Sequence, residues 1–251
     1  MPEFDSNGVS INYIDEGAGA PVVLVHGFAS SLQGNWRAPG IVDALVQAGR
    51  RVIALDCRGH GRSGKPHEPE AYADNAMARD VLALMDHLGI EKTDLVGYSM
   101  GGFLSASLMV RNPERFTSVA LCGIGDAIIG GRLPGERSQA IADAMEGKRV
   151  EGAMAETAKG FRAFAAASGN DLQALAAMQR GRRGGFDGSK LKETALPVLV
   201  LVGEGDTLIV SADRLAAAIP DARYVKVPGD HLTAVGAPEF RDALVDWLTK
   251  R

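Results

Sequence analysis

The chain has 251 residues, 46% of them hydrophobic, and a formal net charge of −4. That length suits one α/β domain with room for an insertion, and it is enough to bury a large core. The acidic balance, with no basic stripe, excludes a nucleic-acid partner, and no apolar run approaches the roughly 18 residues of a membrane span.

The N-terminal residues Met1-Pro2-Glu3-Phe4-Asp5 lack the basic region and apolar core of a signal peptide, so cytoplasmic residence is the default expectation. Val9 to Ile14 alternates with period two, as an antiparallel edge strand does. Pro21 to His26, Arg51 to Leu55, Leu95-Val96, Ser118 to Leu121 and Val198 to Val202 are apolar on both faces. Parallel strands covered by helices require that pattern. Helical periodicity falls between these runs, at about 38–48, 71–88, 100–111, 211–218 and 236–250. The alternation predicts a parallel sheet wrapped by helices.

One segment breaks the rhythm. From Gly125 to Thr194 no strand-like run appears, and helices are expected near 137–146, 150–167 and 171–180. Met154, Ala158, Phe161 and Ala165 share one face at helical spacing. A structured insertion of about 70 residues is too long for an ordinary loop, and we read it as a lid over one end of the sheet. The expected division is therefore a core of residues 1–123 and 195–251 with a helical cap at 124–194.

The most informative stretch is Gly97-Tyr98-Ser99-Met100-Gly101, a G-x-S-x-G pentapeptide between an apolar run and a helical pattern. A serine on a tight strand-to-helix turn has a strained backbone that pushes its hydroxyl out of the fold. The Met100 amide then sits at a helix N-terminus, where it can donate to a developing oxyanion. The second such donor is expected after an earlier strand, and Phe28 in His26-Gly27-Phe28 fits.

A serine hydroxyl needs a base, and the base a carboxylate. Of the five histidines, His26, His60, His67 and His87 read as turn, loop or helix residues. His231 differs, because it follows a strand at Ala222 to Val227 and a Pro228-Gly229 turn. Open α/β sheets place ligands at the carboxyl ends of their strands. Asp206, just past another apolar strand, is the favoured carboxylate, and Asp126 is the alternative. Glu204 and Asp230 are nearby decoys. The order Ser99, Asp206, His231 matches one serine-hydrolase fold and not the others. The two cysteines, Cys57 and Cys122, are too few for a disulfide framework and form no C-x-x-C.

With Val25-His26-Gly27-Phe28, Asp56-Cys57-Arg58-Gly59-His60-Gly61-Arg62-Ser63, the serine motif, Gly203-Glu204-Gly205-Asp206 and Gly229-Asp230-His231 in this order, the chain resembles the α/β-hydrolase superfamily over essentially its full length. The resemblance implies a mostly parallel eight-stranded sheet flanked by helices, with a helical cap inserted after the sixth strand. It implies Ser99, Asp206 and His231 as catalytic residues, Phe28 and Met100 as the oxyanion hole, and no metal or organic cofactor. Haloalkane dehalogenases and epoxide hydrolases of this fold attack with an aspartate, so Ser99 argues against both. The chain looks most like small capped carboxylesterases, with a small-molecule ester as substrate. Carbon–carbon bond hydrolases, lactonases, thioesterases and cofactor-free perhydrolases share the same three residues, and a receptor on this fold is a further alternative. The expected pocket wall comprises Phe28, Ile128, Leu133, Phe161, Leu208 and Leu232, with Met100, Ile129, Met154 and Phe164 as further candidates.

Overall fold

The computed structural model describes residues 1–131, 135–181 and 184–250. Its strands are β1 (Glu3–Ser6), β2 (Val9–Glu16), β3 (Pro21–Val25), β4 (Arg51–Leu55), β5 (Thr93–Tyr98), β6 (Phe116–Cys122), β7 (Val198–Gly203) and β8 (Arg223–Val227). They form one eight-stranded sheet in the order β1-β2-β4-β3-β5-β6-β7-β8. The first two strands pair antiparallel, and every pairing from β4 to β8 is parallel.

Alternation along each parallel strand sends side chains into two separate layers. Val23, Val25, Leu95, Val119 and Val200 enter one cluster, with Val81 and Leu84 of α2 (Ala76–His87) and Leu104 and Leu108 of α3 (Met100–Arg111). Val22, Leu24, Val96, Ala120 and Leu199 enter the other. There they meet Ile41 and Leu45 of α1 (Ile41–Gln47) and Phe240 and Leu244 of α8 (Pro238–Thr249). Burying each such side chain is worth roughly 1.5–3 kcal/mol, so covering both faces holds the sheet between its helices.

Two predicted helices are shorter than their apolar pattern. The α1 helix starts only at Ile41, because a π-helical turn occupies Gln33–Arg37 and Gly40 takes a left-handed φ of 75°. The α2 helix starts at Ala76, because Asp74 and Asn75 also take positive φ. The strand β1 is an addition to the predicted set. Asn7 and Gly8, with φ of 53° and 81°, close a hairpin that pairs β1 with β2, as the Asn-Gly sequence favours.

Between β6 and β7 the described residues contain no strand. They contain α4 (Gly135–Met145), α5 (Ala155–Ala167) and α6 (Leu172–Arg180). This insertion touches the strand-end loops of the sheet. Asn170 Nδ2 donates to the Ala29 carbonyl at 2.8 Å, His67 Nε2 meets Asp171 Oδ2 at 2.9 Å, and the Phe161 ring lies 5.5 Å from that of Phe28. The helix α7 (Asp213–Ala218) follows β7. No helix among the described residues is long and apolar enough to cross a membrane.

The strand order creates a switch point. From β3 the chain moves to β4 on one side, then crosses to β5 on the other. The crevice outside the carboxyl ends of β3 and β5 is left uncovered by either crossover, which is where ligands bind in open α/β sheets.

Candidate active site

Ser99 sits at that crevice, directly after β5. Its φ of 53° and ψ of −108° are strained for any residue with a Cβ. The turn closes because its glycines let backbones nearly touch. A Cβ on Gly97 would lie 2.1 Å from the Gly101 carbonyl oxygen, and one on Gly101 would lie 2.0 Å from that of Val25. The Ser99 N–H donates to the Cys122 carbonyl at 2.8 Å, which fixes the turn to the neighbouring strand.

The ends of β7 and β8 bring the other two residues together. The Gly205 N–H donates to the Gly229 carbonyl at 3.0 Å and the Glu204 N–H to that of Val227 at 2.8 Å, so the loops after the two strands run side by side. Asp206 on one loop then faces His231 on the other. His231 Nδ1 lies 2.7 Å from Asp206 Oδ2, and His231 Nε2 lies 2.9 Å from Ser99 Oγ. The second oxygen of Asp206 accepts from the Leu208 N–H at 3.0 Å and the Ile209 N–H at 3.3 Å. A carboxylate held this way fixes the Nδ1–H tautomer and leaves Nε2 free to accept the serine proton.

The alternative acid is occupied elsewhere, since Asp126 Oδ1 accepts from the Leu215 N–H at 2.8 Å. Asp230 closes its own turn, accepting from the Leu232 and Thr233 N–H groups, both at 2.9 Å. Those bonds, led by that from the Thr233 hydroxyl, hold its carboxyl below the usual range.

The loop after β3 is oriented from both sides of Gly27. Asn35, buried on the π-helical turn, accepts from the Gly27 N–H at 2.9 Å. The Gly27 carbonyl accepts from the Ser30 N–H at 3.2 Å and faces His26 Nδ1 at 2.7 Å. His26 Nε2 must carry a lone pair, because it accepts from the Cys57 N–H at 2.9 Å. His26 is therefore neutral with its proton on Nδ1, and burial holds its pKa below the ordinary value. With both polar groups of Gly27 taken, the next residue, Phe28, lines the Ser99 crevice. Met100 opens α3, so its N–H has no carbonyl one turn back to reach.

Three cavities meet here. An outer one of about 310 Å³ is lined by Phe28, Asn35, Ser99, Phe164, Asn170 and His231 among others. An inner one of about 90 Å³ is lined by Phe28, Ser99, Met100, Phe103, Ile128, Arg137, Phe161, Leu208 and His231 among others. A third of about 240 Å³ adds Thr157, Phe164, Leu208 and Leu232 to Phe161 and His231. Phe28, Ile128, Phe161, Leu208 and Leu232 thus line these cavities as expected from the sequence, as do Met100 and Phe164. Ile129 instead packs against the core, Met154 is half-buried beside α5, and Leu133 lies outside the described residues.

Three contributors were not visible in the sequence. Tyr98, inside the serine motif, donates to the His231 carbonyl at 2.7 Å. Asn35 and Arg137 carry no local motif at all. Cys57 and Cys122 are buried and free, and burial raises the pKa of both thiols.

Known proteins share the fold. A solved enol-lactonase from Burkholderia xenovorans LB400 superposes with a TM-score of 0.76 at 28% identity, covering 99% of this chain and 100% of that one. A thermophilic esterase from Thermogutta terrifontis does so with a TM-score of 0.74 at 27% identity, covering 99% and 96%. By sequence, the chain is 33% identical to a dihydrolipoyllysine-residue acetyltransferase component of an acetoin cleaving system from Cupriavidus necator. That alignment covers 90% of this chain and 62% of the relative, and the chain spans less than two thirds of the other first curated relatives as well. The model of the alpha/beta hydrolase fold family matches residues 20–149, more than half of the chain, and the chain belongs to that family.

Proposed function

We propose that this protein is a serine hydrolase that cleaves carboxylic esters through an acyl-enzyme intermediate. The observation that carries the reading is the unbroken hydrogen-bonded series from Asp206 through His231 to Ser99, at 2.7 and 2.9 Å. Similarity to an esterase and an enol-lactonase over almost the whole chain supports it, since a lactone is a cyclic ester.

In the first step His231 Nε2 takes the Ser99 proton as Oγ bonds to the ester carbonyl carbon. The carbonyl π electrons move to oxygen, and the Phe28 and Met100 amides donate to that oxyanion. Losing one such donor typically costs about 2.7–4 kcal/mol of transition-state stabilisation. When the intermediate collapses, the carbon–oxygen bond to the alcohol breaks and His231 returns the proton to the leaving oxygen. Water then gives a proton to His231, attacks the acyl carbon, and Ser99 leaves with that proton restored. Asp206 remains ionised throughout and stabilises the imidazolium. In this reading the insertion serves as a lid, with Phe161 as its contribution to the pocket.

The test is turnover of p-nitrophenyl esters from acetate to palmitate by the wild type and Ser99→Ala. The expected result is turnover of the shorter esters and a loss of at least about 10⁴-fold in the variant. Activity that survives in Ser99→Ala rejects the reading. A wild type inactive on every ester, with its fold intact, redirects it to carbon–carbon, thioester or peroxide chemistry.

A further inference from the structure

The inner cavity is lined by a cationic side chain that pairs with no counter-ion among the described residues. Arg137, on the first turn of α4, lines it together with Ser99, Met100 and His231. Among the described residues its guanidinium forms no ion pair or hydrogen bond. Its contact is with the Phe161 ring, Cζ lying 5.8 Å from the centroid. Other arginines of the insertion are engaged: Arg180 holds Glu146 through Nε and Nη2, and Arg162 donates to the Ala144 and Met145 carbonyls. Asp206, the carboxylate whose charge acts on Arg137, is already committed to His231 and two amides. A half-buried guanidinium that faces a cavity with its donors unspent is expensive unless an anion arrives.

The rest of the cavity specifies what that anion is attached to. Phe103, Ile124, Ile128 and Ile141 form an apolar wall. A cavity of about 150 Å³ admits a benzene-sized guest, so this one, at about 90 Å³, suits an arm of few atoms. One part of the lining is the serine and the oxyanion donor, another is the planar five-donor fork of an arginine, and apolar side chains complete it. That fork pairs bidentately with carboxylates.

We propose that Arg137 binds a carboxylate at the far end of the substrate's short acyl arm, which makes half-esters of small dicarboxylic acids the preferred substrates. This rests on the ester-hydrolase reading. It predicts that charge, more than chain length, decides which short ester is turned over fastest.

The experiment compares monomethyl succinate with methyl 4-methylpentanoate, a neutral ester of nearly the same shape, by proton release at constant pH. The wild type is expected to favour the half-ester in kcat/KM by roughly 10- to 100-fold, the range of a charge-assisted hydrogen bond. Arg137→Met should cut that preference at least 10-fold, mainly through KM for the half-ester, and Arg137→Lys should restore part of it. A wild type that prefers the neutral ester overturns the proposal while leaving the esterase reading intact. So does an Arg137→Met that slows both esters by one common factor, because the arginine would then act through Phe161 alone. Calorimetric titration of succinate into Ser99→Ala and into Ser99→Ala/Arg137→Met needs no turnover. At least 10-fold weaker binding to the double variant is expected, and equal binding, or none to either, rejects the proposal even if the protein proves to hydrolyse no ester.

Discussion

The phenolic hydroxyl of Tyr98 donates a 2.7 Å hydrogen bond to the backbone carbonyl of His231, 133 residues later in the chain. It joins the residue before the serine to the residue that faces it. Burial raises the Tyr98 pKa well above its ordinary value, so the donor is present across the working pH range. Tyr98→Phe should leave the carbonyl of the His231 loop unpaired and cost about 1–3 kcal/mol of stability. It should also lower kcat with KM nearly unchanged, because the imidazole is held less firmly while the cavities keep their shape. Steady-state kinetics and urea unfolding check both parts, and an unchanged kcat would falsify the positioning role.

Backbone strain at Ser99 predicts an unusual order of stabilities. Its φ of 53° with ψ of −108° favours glycine, and such strain costs about 1–3 kcal/mol. Ser99→Ala keeps the Cβ and the strain but loses the bond to His231. Ser99→Gly releases the strain, offset by about 0.5–1 kcal/mol of added chain entropy. Ser99→Gly should therefore melt higher than Ser99→Ala by an amount equivalent to roughly 1 kcal/mol. Scanning calorimetry on the two variants reads this directly, and a lower melting point for Ser99→Gly counts against it.

His26 makes stability pH-dependent. Its Nε2 accepts from Cys57, so protonation there breaks the bond, and burial holds its pKa below the ordinary imidazole value of 6.5. Between that lowered value and 6.5 the unfolded chain binds more protons than the folded one. Stability from this group is complete above pH 6.5 and declines as pH falls through the folded pKa. The slope in that window is at most about 1.4 kcal/mol per pH unit. Urea midpoints at a series of pH values should show the decline, and His26→Gln should flatten it. Equal slopes in both proteins would place the sensitivity elsewhere.

Arg180 ties α6 to α4. Its Nε and Nη2 reach the two Glu146 oxygens at 2.6 and 2.8 Å, and Nη2 also reaches Asp143 at 2.8 Å. The Arg180 hydrogen bonds pull the Glu146 carboxyl down to about 2. That contribution is present above the ordinary glutamate range and is lost as pH falls toward about 2. Because the groups are about a quarter exposed, Arg180→Gln should cost no more than about 1 kcal/mol. Hydrogen exchange should quicken in α4 and α6 while the β5 and β6 amides stay protected. Equal acceleration in the sheet would mean that the insertion does not open by itself.

Much of the site was legible in the sequence because its determinants are local. Gly97, Ser99 and Gly101 encode a turn that only small residues can make, and apolar runs encode strands covered on both faces. Asp206 and His231 could be named from their places just past strands, with Asp126, also past a strand end, as the lesser alternative. Strand β1 was missed, because its four residues carry too little apolar signal to register as a period.

Other features were decided only when the chain closed. Asp206, rather than Asp126, faces His231 because the ends of β7 and β8 run side by side at Gly205 and Gly229, while Asp126 turns to the Leu215 amide. Asn35 and Arg137 have no motif, since what each does depends on a partner, Gly27 or the Phe161 ring, that is brought near by the fold. Residue type and local spacing determined which chemistry the chain could hold. The strand order, by leaving a crevice between β3 and β5, decided where that chemistry converges, because side-chain contacts across such sequence distances exist only after the sheet has formed.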